Sequence, residues 1–354
     1  MARIDKLLQA AKSAGASDLH LVSGSLPYIR VNGDLRTVKM DKAMSAELLR
    51  SLIFEILTEE QQAAIDKERD LDFSYEAVGL GRFRGNLLYQ RKGLDAVFRF
   101  IPAEIPTLES LGFPPVVSKL TQHHQGLVLV TGPTRSGKSA TLAAMINEIN
   151  ERSNHHILSI EDPIEYIHPN KKSVVNQREV GKHTNSFARA LKASLREDPD
   201  VIMVGELRDV ETMSMAITAS ETGHLVLATL QTSSAHKTID RVLDSFPVAQ
   251  QSQIRTMVSE SLKGVISQRL LKRADGKGMV AAVEILIGTV PLANLIRDGK
   301  TFQIPSIMQT GKGVGMVKMD DAIMELLQNQ VITPEEASMA ANDKSNFAQF
   351  LAKG

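Results

Sequence analysis

The octapeptide Gly132-Pro133-Thr134-Arg135-Ser136-Gly137-Lys138-Ser139 fits G-x-x-x-x-G-K-[ST], a loop that works only between a strand and a helix. Both flanks fit. Residues 127–130, Leu-Val-Leu-Val, form a short aliphatic run typical of a buried strand. Residues 140–149 are rich in Ala, Leu, Met and Ile and favour a helix. In that setting the loop amides and the helix N-terminus, with Ala140 in its first turn, surround a phosphate. Lys138 adds a mobile positive charge, and the Ser139 hydroxyl can ligate Mg²⁺.

Three further apolar runs, 157–160, 201–204 and 225–230, follow downstream. Helices are expected at about 138–151, 186–196, 209–222, 235–244 and 248–267. This alternation predicts an α/β fold with a parallel sheet covered on both faces, its ligand at the carboxyl ends of the strands. The residues that follow each run therefore matter. They are the loop itself, then Glu161-Asp162-Pro163-Ile164-Glu165, then Gly205-Glu206-Leu207-Arg208-Asp209, then Gln231-Thr232. Acidic and polar clusters thus converge with a phosphate loop, the layout of a nucleoside triphosphatase. Phosphoryl transfer to water needs positioning and charge neutralisation. Glu206, directly after a buried run, suits orienting or deprotonating the attacking water. Glu161 and Asp162 suit holding Mg²⁺ through its waters or assisting the same water. A carboxylate at a strand end is otherwise a helix cap or turn residue, a reading open for Glu206 and more so for Asp162 and Glu165.

The N-terminal third has a different texture. A helix is expected at 4–14, a strand at 17–22, and a hairpin at 28–38 around Asn32-Gly33. Helices at about 45–57 and 58–69 follow, with Thr58 and Gln61 spaced as a capping box. Strands then return at 71–75, 82–90 and 96–101, so this part reads as an α+β sheet domain. Arg82 and Arg84 lie two apart on one strand face, and Arg99 sits on the facing strand. Such a row can meet phosphates of a neighbouring subunit, or can simply be a solvated basic face. His20 reads as structural.

A chain of 354 residues suggests two domains. Pro102, Pro106, Pro114 and Pro115 mark a linker at 102–115. It separates an N-terminal domain, 1–101, from an ATPase domain, 116–354, whose last segment, about 319–353, is helical and polar-faced. Lysines plus arginines equal aspartates plus glutamates at 41 each, which gives no footprint for a nucleic-acid partner. Cysteine is absent, which excludes a thiolate zinc site and fits a reducing cytosol. The N-terminus leads into an amphipathic segment, not a signal-peptide core. No apolar run approaches the roughly 20 residues of a membrane helix, so any membrane association is expected to go through a partner.

The same residues resemble the secretion-ATPase superfamily, and within it the retraction ATPases of type IV pili. The likeness runs over nearly all of the chain. Gly15-Ala16-Ser17-Asp18-Leu19-His20-Leu21 is similar to the N-terminal strand signature, and Gly81-Arg82-Phe83-Arg84 to the arginine strand. Residues 159–166 look like the Asp box, residues 198–206 like the Walker B segment, and Gly223-His224 opens the His box. Residues 294–300 resemble the tail of a retraction-associated motif. The resemblance implies a RecA-like P-loop domain with a smaller PAS-like α+β domain, assembled as a ring-shaped homo-hexamer. It implies hydrolysis of ATP with Mg²⁺ to drive an inner-membrane platform protein and withdraw pilin. It adds His224, Gln231 and Thr232 to the nucleotide contacts and strengthens the case for Arg82, Arg84 and Arg99. Assembly ATPases of the superfamily usually carry a four-cysteine zinc element, which favours the retraction branch here.

The chain also departs from that pattern. Arg135 stands where glycine is usual, Gln231 where the second His-box histidine is usual, and Pro291-Leu292-Ala293 where Ala-Ile-Arg is usual. Glutamine can hydrogen-bond a γ-phosphate but cannot gain charge. Arg135 would be strained by roughly 1 kcal/mol or more if its position needs a positive φ. These departures keep two alternatives in view: an accessory motor paralogue with weak hydrolysis that assembles with an active motor, and a related ATPase of type II secretion or pilus assembly.

Overall fold

The computed structural model describes residues 2–40, 42–101 and 104–351. The chain divides into two compact units, Met1–Glu104 and Ile105–Gly354.

In the first unit the order is α1 (Asp5–Ser13), β1 (Asp18–Leu21), β2 (Tyr28–Val31), β3 (Asp34–Thr37), α2 (Ala46–Phe54), α3 (Glu59–Glu68), β4 (Asp70–Ala77), β5 (Gly81–Gln90) and β6 (Gly93–Ile101). The strands form one antiparallel sheet, β3-β2-β1-β6-β5-β4. Asn32 and Gly33 turn the β2–β3 hairpin with φ of 49° and 87°, the positive pair that a tight hairpin turn demands. Thr58 and Gln61 close the capping box at the start of α3. Leu8, Leu19, Leu49, Ile53, Leu87 and Phe98 fill the core between helices and sheet.

The second unit contains α4 (Pro115–Leu120), β7 (Gly126–Thr131), α5 (Lys138–Arg152), β8 (His156–Glu161), β9 (Val174–Glu179), α6 (Phe187–Ser194), β10 (Val201–Val204), α7 (Val210–Glu221), β11 (Leu225–Leu230), α8 (Ala235–Asp244), α9 (Val248–Ser261), β12 (Leu262–Lys272) and β13 (Met279–Ile287). It continues with α10 (Val290–Arg297), α11 (Ile304–Thr310), α12 (Met319–Gln328), α13 (Pro334–Ala340) and α14 (Ala348–Leu351). The sheet order is β13-β12-β7-β11-β10-β8-β9, parallel throughout except for the antiparallel edge strand β13. The unbroken apolar runs have a simple cause. Leu129, Val204 and Ala228 enter one core, while Val128, Met203 and Leu227 enter another on the opposite face.

The structure corrects the expected helix at 248–267. α9 stops at Ser261, and Leu262 opens β12, a strand paired to both β7 and β13. β-Branched Val265 and Ile266 are fully buried there. A Cβ on Gly264 would come within 2.9 Å of Leu120, so the strand packs closely on α4. Strands β9 and β13 were not anticipated. In the Pro-rich stretch, Leu108 and Phe113 are buried in the second unit's core, and Pro102 lies outside the described residues. The C-terminal segment is helical as α12, α13 and α14, with breaks between them; residues 352 and 353 lie outside the described residues.

Candidate nucleotide-binding site

The loop after β7 is shaped by its glycines. Gly132 has φ 147°, and a Cβ there would lie 2.4 Å from the Gln268 carbonyl and from Ser136 Oγ. Only glycine fits so near a neighbouring backbone. Gly137, with φ 89°, enters α5, whose first turn holds Lys138, Ser139 and Ala140 and no acidic residue. No side chain caps that helix end, so its positive pole faces the loop. β12 supports the loop from the side: Gln268 Nε2 donates to the Ser136 carbonyl at 2.8 Å.

Lys138 Nζ donates to the carbonyls of Gly132 and Pro133, both at 2.9 Å. Burial lowers the proton affinity of this amine, while nearby Glu206 and Glu165 oppose that lowering. Arg135 sits in the middle of the loop with φ 67° and an exposed side chain. The conditional strain expected for that position is therefore present. Thr134, Arg135 and Ser136 line one wall of a cleft of about 320 Å³, and Arg269, Leu270 and Met339 line another.

The strand ends bring the carboxylates in. Glu161, the last residue of β8, is only 7% exposed. Its Oε1 accepts from Ser159 Oγ at 2.7 Å and from Gln177 Nε2 at 3.0 Å. Burial nevertheless pushes this carboxyl up from 4.5 to about 7. Asp162 is more open, 3.7 Å from the Arg208 guanidinium. Glu206, two residues beyond β10, is held at both oxygens. Gln231 Nε2 donates to Oε1 at 2.6 Å, and Arg208 Nε donates to Oε2 at 2.7 Å. The expected γ-phosphate contact Gln231 thus has a carboxylate partner within the chain.

Thr232 Oγ1 lies 2.6 Å from Thr238 Oγ1 of α8. Thr238 in turn donates to Thr131 at 3.4 Å, and Thr131 meets Ser267 of β12 at 2.8 Å. A hydroxyl chain therefore crosses from the end of β11 to the end of β7.

One expected contact is corrected. His224 precedes β11 at the amino edge of the sheet, where its carbonyl accepts from the Gly126 amide at 3.0 Å. Its ring faces the end of α7, 3.0 Å from the Ala219 carbonyl. Seven residues of extended chain place it on the order of 20 Å from Gln231. His224 therefore does not reach this chain's own phosphate loop.

Arg82, Arg84 and Arg99 belong to the first unit. Arg84 is the register partner of Arg99 across β5 and β6, and Arg82 faces Ile101. Arg99 Nε donates to Asp18 at 3.0 Å, and Arg84 approaches Asp72 at 3.9 Å. Two of the three are thus partly neutralised within their own sheet.

The described residues contain no group of three or more His, Asp or Glu arranged to hold a metal ion. A P-loop does not need one, since Mg²⁺ takes a hydroxyl, phosphate oxygens and water. Exposed Ser139 and half-open Asp162 fit that donor set; buried Glu161 fits it less well. Sequence reasoning passed over Arg208 and Gln268. Arg208 lay within the segment that singled out Glu206, whereas no sequence signal separated Gln268 from its neighbours.

The family model described as Type II/IV secretion system protein matches residues 1–285. The type IV pilus retraction ATPase PilT of Pseudomonas aeruginosa is 48% identical over 344 residues, 97% of this chain and 99% of that protein. The type IV pilus ATPase PilU of the same organism is 40% identical over 349 residues, 99% of this chain and 91% of that one. Among solved structures, the pilus retraction motor PilT with bound ADP has a TM-score of 0.86, with 44% identity over 98% of both chains.

Proposed function

The chain belongs to the Type II/IV secretion system protein family, and from that premise we propose that it is the ATP-hydrolysing motor of type IV pilus retraction. The observation that carries this is the near-complete likeness to PilT, combined with a P-loop set beside carboxylates at two strand ends. The phosphates of ATP lie against the loop amides and the start of α5, with Lys138 turning from the loop carbonyls to the β and γ oxygens. The nucleoside lies in the adjoining cleft. Ser139 and Asp162 would hold Mg²⁺, which would neutralise phosphate charge. Glu206 orients the water that attacks the γ-phosphorus, and Glu161, titrating near neutrality, is suited to take part in removing its proton. The bond from the γ-phosphorus to its bridging oxygen breaks, leaving ADP and phosphate.

The proposed domains are residues 1–101 as the N-terminal domain and 116–354 as the ATPase domain; of the stretch 102–115 between them, Leu108 and Phe113 are packed into the second unit's core. The motor is a homo-hexamer in which Arg82, Arg84 and Arg99 of one subunit reach nucleotide bound to another. It works at the inner membrane through a platform protein. No helix among the described residues is long and apolar enough to cross a membrane.

Deleting the gene in its own organism should leave cells with excess surface pili and no twitching, and the Glu206→Gln gene should not restore movement. Bald cells after deletion would instead mark an assembly motor. A second reading is an accessory paralogue, favoured by strained Arg135 and by Gln231. It predicts little turnover by the isolated chain.

A further inference from the structure

Glu206 is held by a donor at each of its two carboxylate oxygens. One oxygen takes Gln231 at 2.6 Å and the other takes Arg208 at 2.7 Å. The Arg208 guanidinium also stands 3.7 Å from Asp162, at the end of the neighbouring strand β8. Its backbone is fixed on both sides. Leu207 is 4% exposed, and its amide donates to the Thr229 carbonyl at 2.9 Å. Asp209 caps α7, accepting from the Thr212 amide at 2.8 Å. Arg208 thus projects from a rigid step between β10 and α7.

We infer that Arg208 is a positioning residue for hydrolysis: together with Gln231 it fixes the plane of the Glu206 carboxylate and ties it to the strand-end loop that carries Asp162. This rests on the reading that the chain hydrolyses ATP. A carboxylate held at both oxygens presents its remaining lone pairs in a fixed direction. That direction decides where a bound water can sit, and small misplacements of a reacting group are costly in rate. The arrangement is poorly suited to a purely structural purpose. The Arg208 side chain is 55% exposed, and an ion pair so open to solvent adds little to stability.

The test is steady-state Mg-ATPase kinetics on the full chain for the unmodified protein, Arg208→Ala, Arg208→Lys, Gln231→Ala and the Arg208→Ala/Gln231→Ala double variant, with melting curves for each. Arg208→Ala should lower kcat roughly tenfold while leaving KM for ATP within about twofold, as expected for lost orientation of a reacting group. Its melting midpoint should not move. Lysine should restore only part of the rate, because it lacks the guanidinium fork. The double variant should lose less than the product of the single losses, since both residues act on one carboxylate. Unchanged kcat in Arg208→Ala would overturn the inference. So would losses that multiply, or a melting midpoint that falls with kcat in both Arg208 variants. If the unmodified chain fails to turn over ATP, the hydrolysis reading itself falls and takes the inference with it.

Discussion

Arg135 holds a backbone conformation that an L-residue adopts reluctantly, at φ 67° inside the phosphate loop. Replacing it by glycine removes that strain but loosens the unfolded chain. The net effect of Arg135→Gly should be a gain of at most about 1 kcal/mol, read from urea unfolding. A loss of stability would mean that the exposed guanidinium makes contacts that outweigh the strain. Glu161 is the other residue whose surroundings dictate a measurable outcome. Its carboxyl stands raised from 4.5 to about 7 by burial. A group that must be ionised to accept a proton makes kcat rise with pH through about 7, and Glu161→Gln should lose that limb together with most of the rate. The sign for stability is opposite. A raised carboxyl contributes stability that is complete below pH 4.5 and disappears as pH climbs through about 7. Glu161→Gln should therefore melt higher than the unmodified chain at pH 8, and gain less or nothing at pH 5.

The phosphate loop is an element held in place by another element, β12. Gln268 is 2% exposed and supplies the side-chain donor to the Ser136 carbonyl. Gln268→Ala leaves that carbonyl unsatisfied and should cost about 1–3 kcal/mol in unfolding free energy. Nucleotide affinity, measured by calorimetry with ADP, should weaken with it; unchanged affinity would show that the loop keeps its shape without β12. This dependence also explains what the sequence could and could not reveal. The loop was legible because its chemistry resides in backbone geometry, which fixes glycines and flanking elements at set spacings. Residues 262–267 were not, because a short apolar run following a helical pattern suits either structure. Pairing with β7 decides the matter, and that pairing joins residues more than a hundred positions apart. Gln231 shows the same limit at the site. Its place after β11 was evident, but its hydrogen bond to Glu206 depends on how two strand ends meet.

At the scale of the molecule, a phosphate loop on a largely parallel sheet belongs to one unit and an antiparallel sheet to the other. Arg82, Arg84 and Arg99 lie on a separate unit from the phosphate loop, and Arg99 is already paired with Asp18. If they serve a neighbour's nucleotide, the ATPase rate per chain should rise with protein concentration as rings form. Variants at Arg84 should lose that rise while still binding ADP. Mg-ATPase turnover of the purified chain, with its mass determined in the same sample, separates an active motor from a nucleotide-binding accessory. An active motor should show a six-subunit mass and sustained turnover that Glu206→Gln abolishes. A stable particle that binds ATP without turning it over, or turnover that survives Glu206→Gln, would contradict that reading.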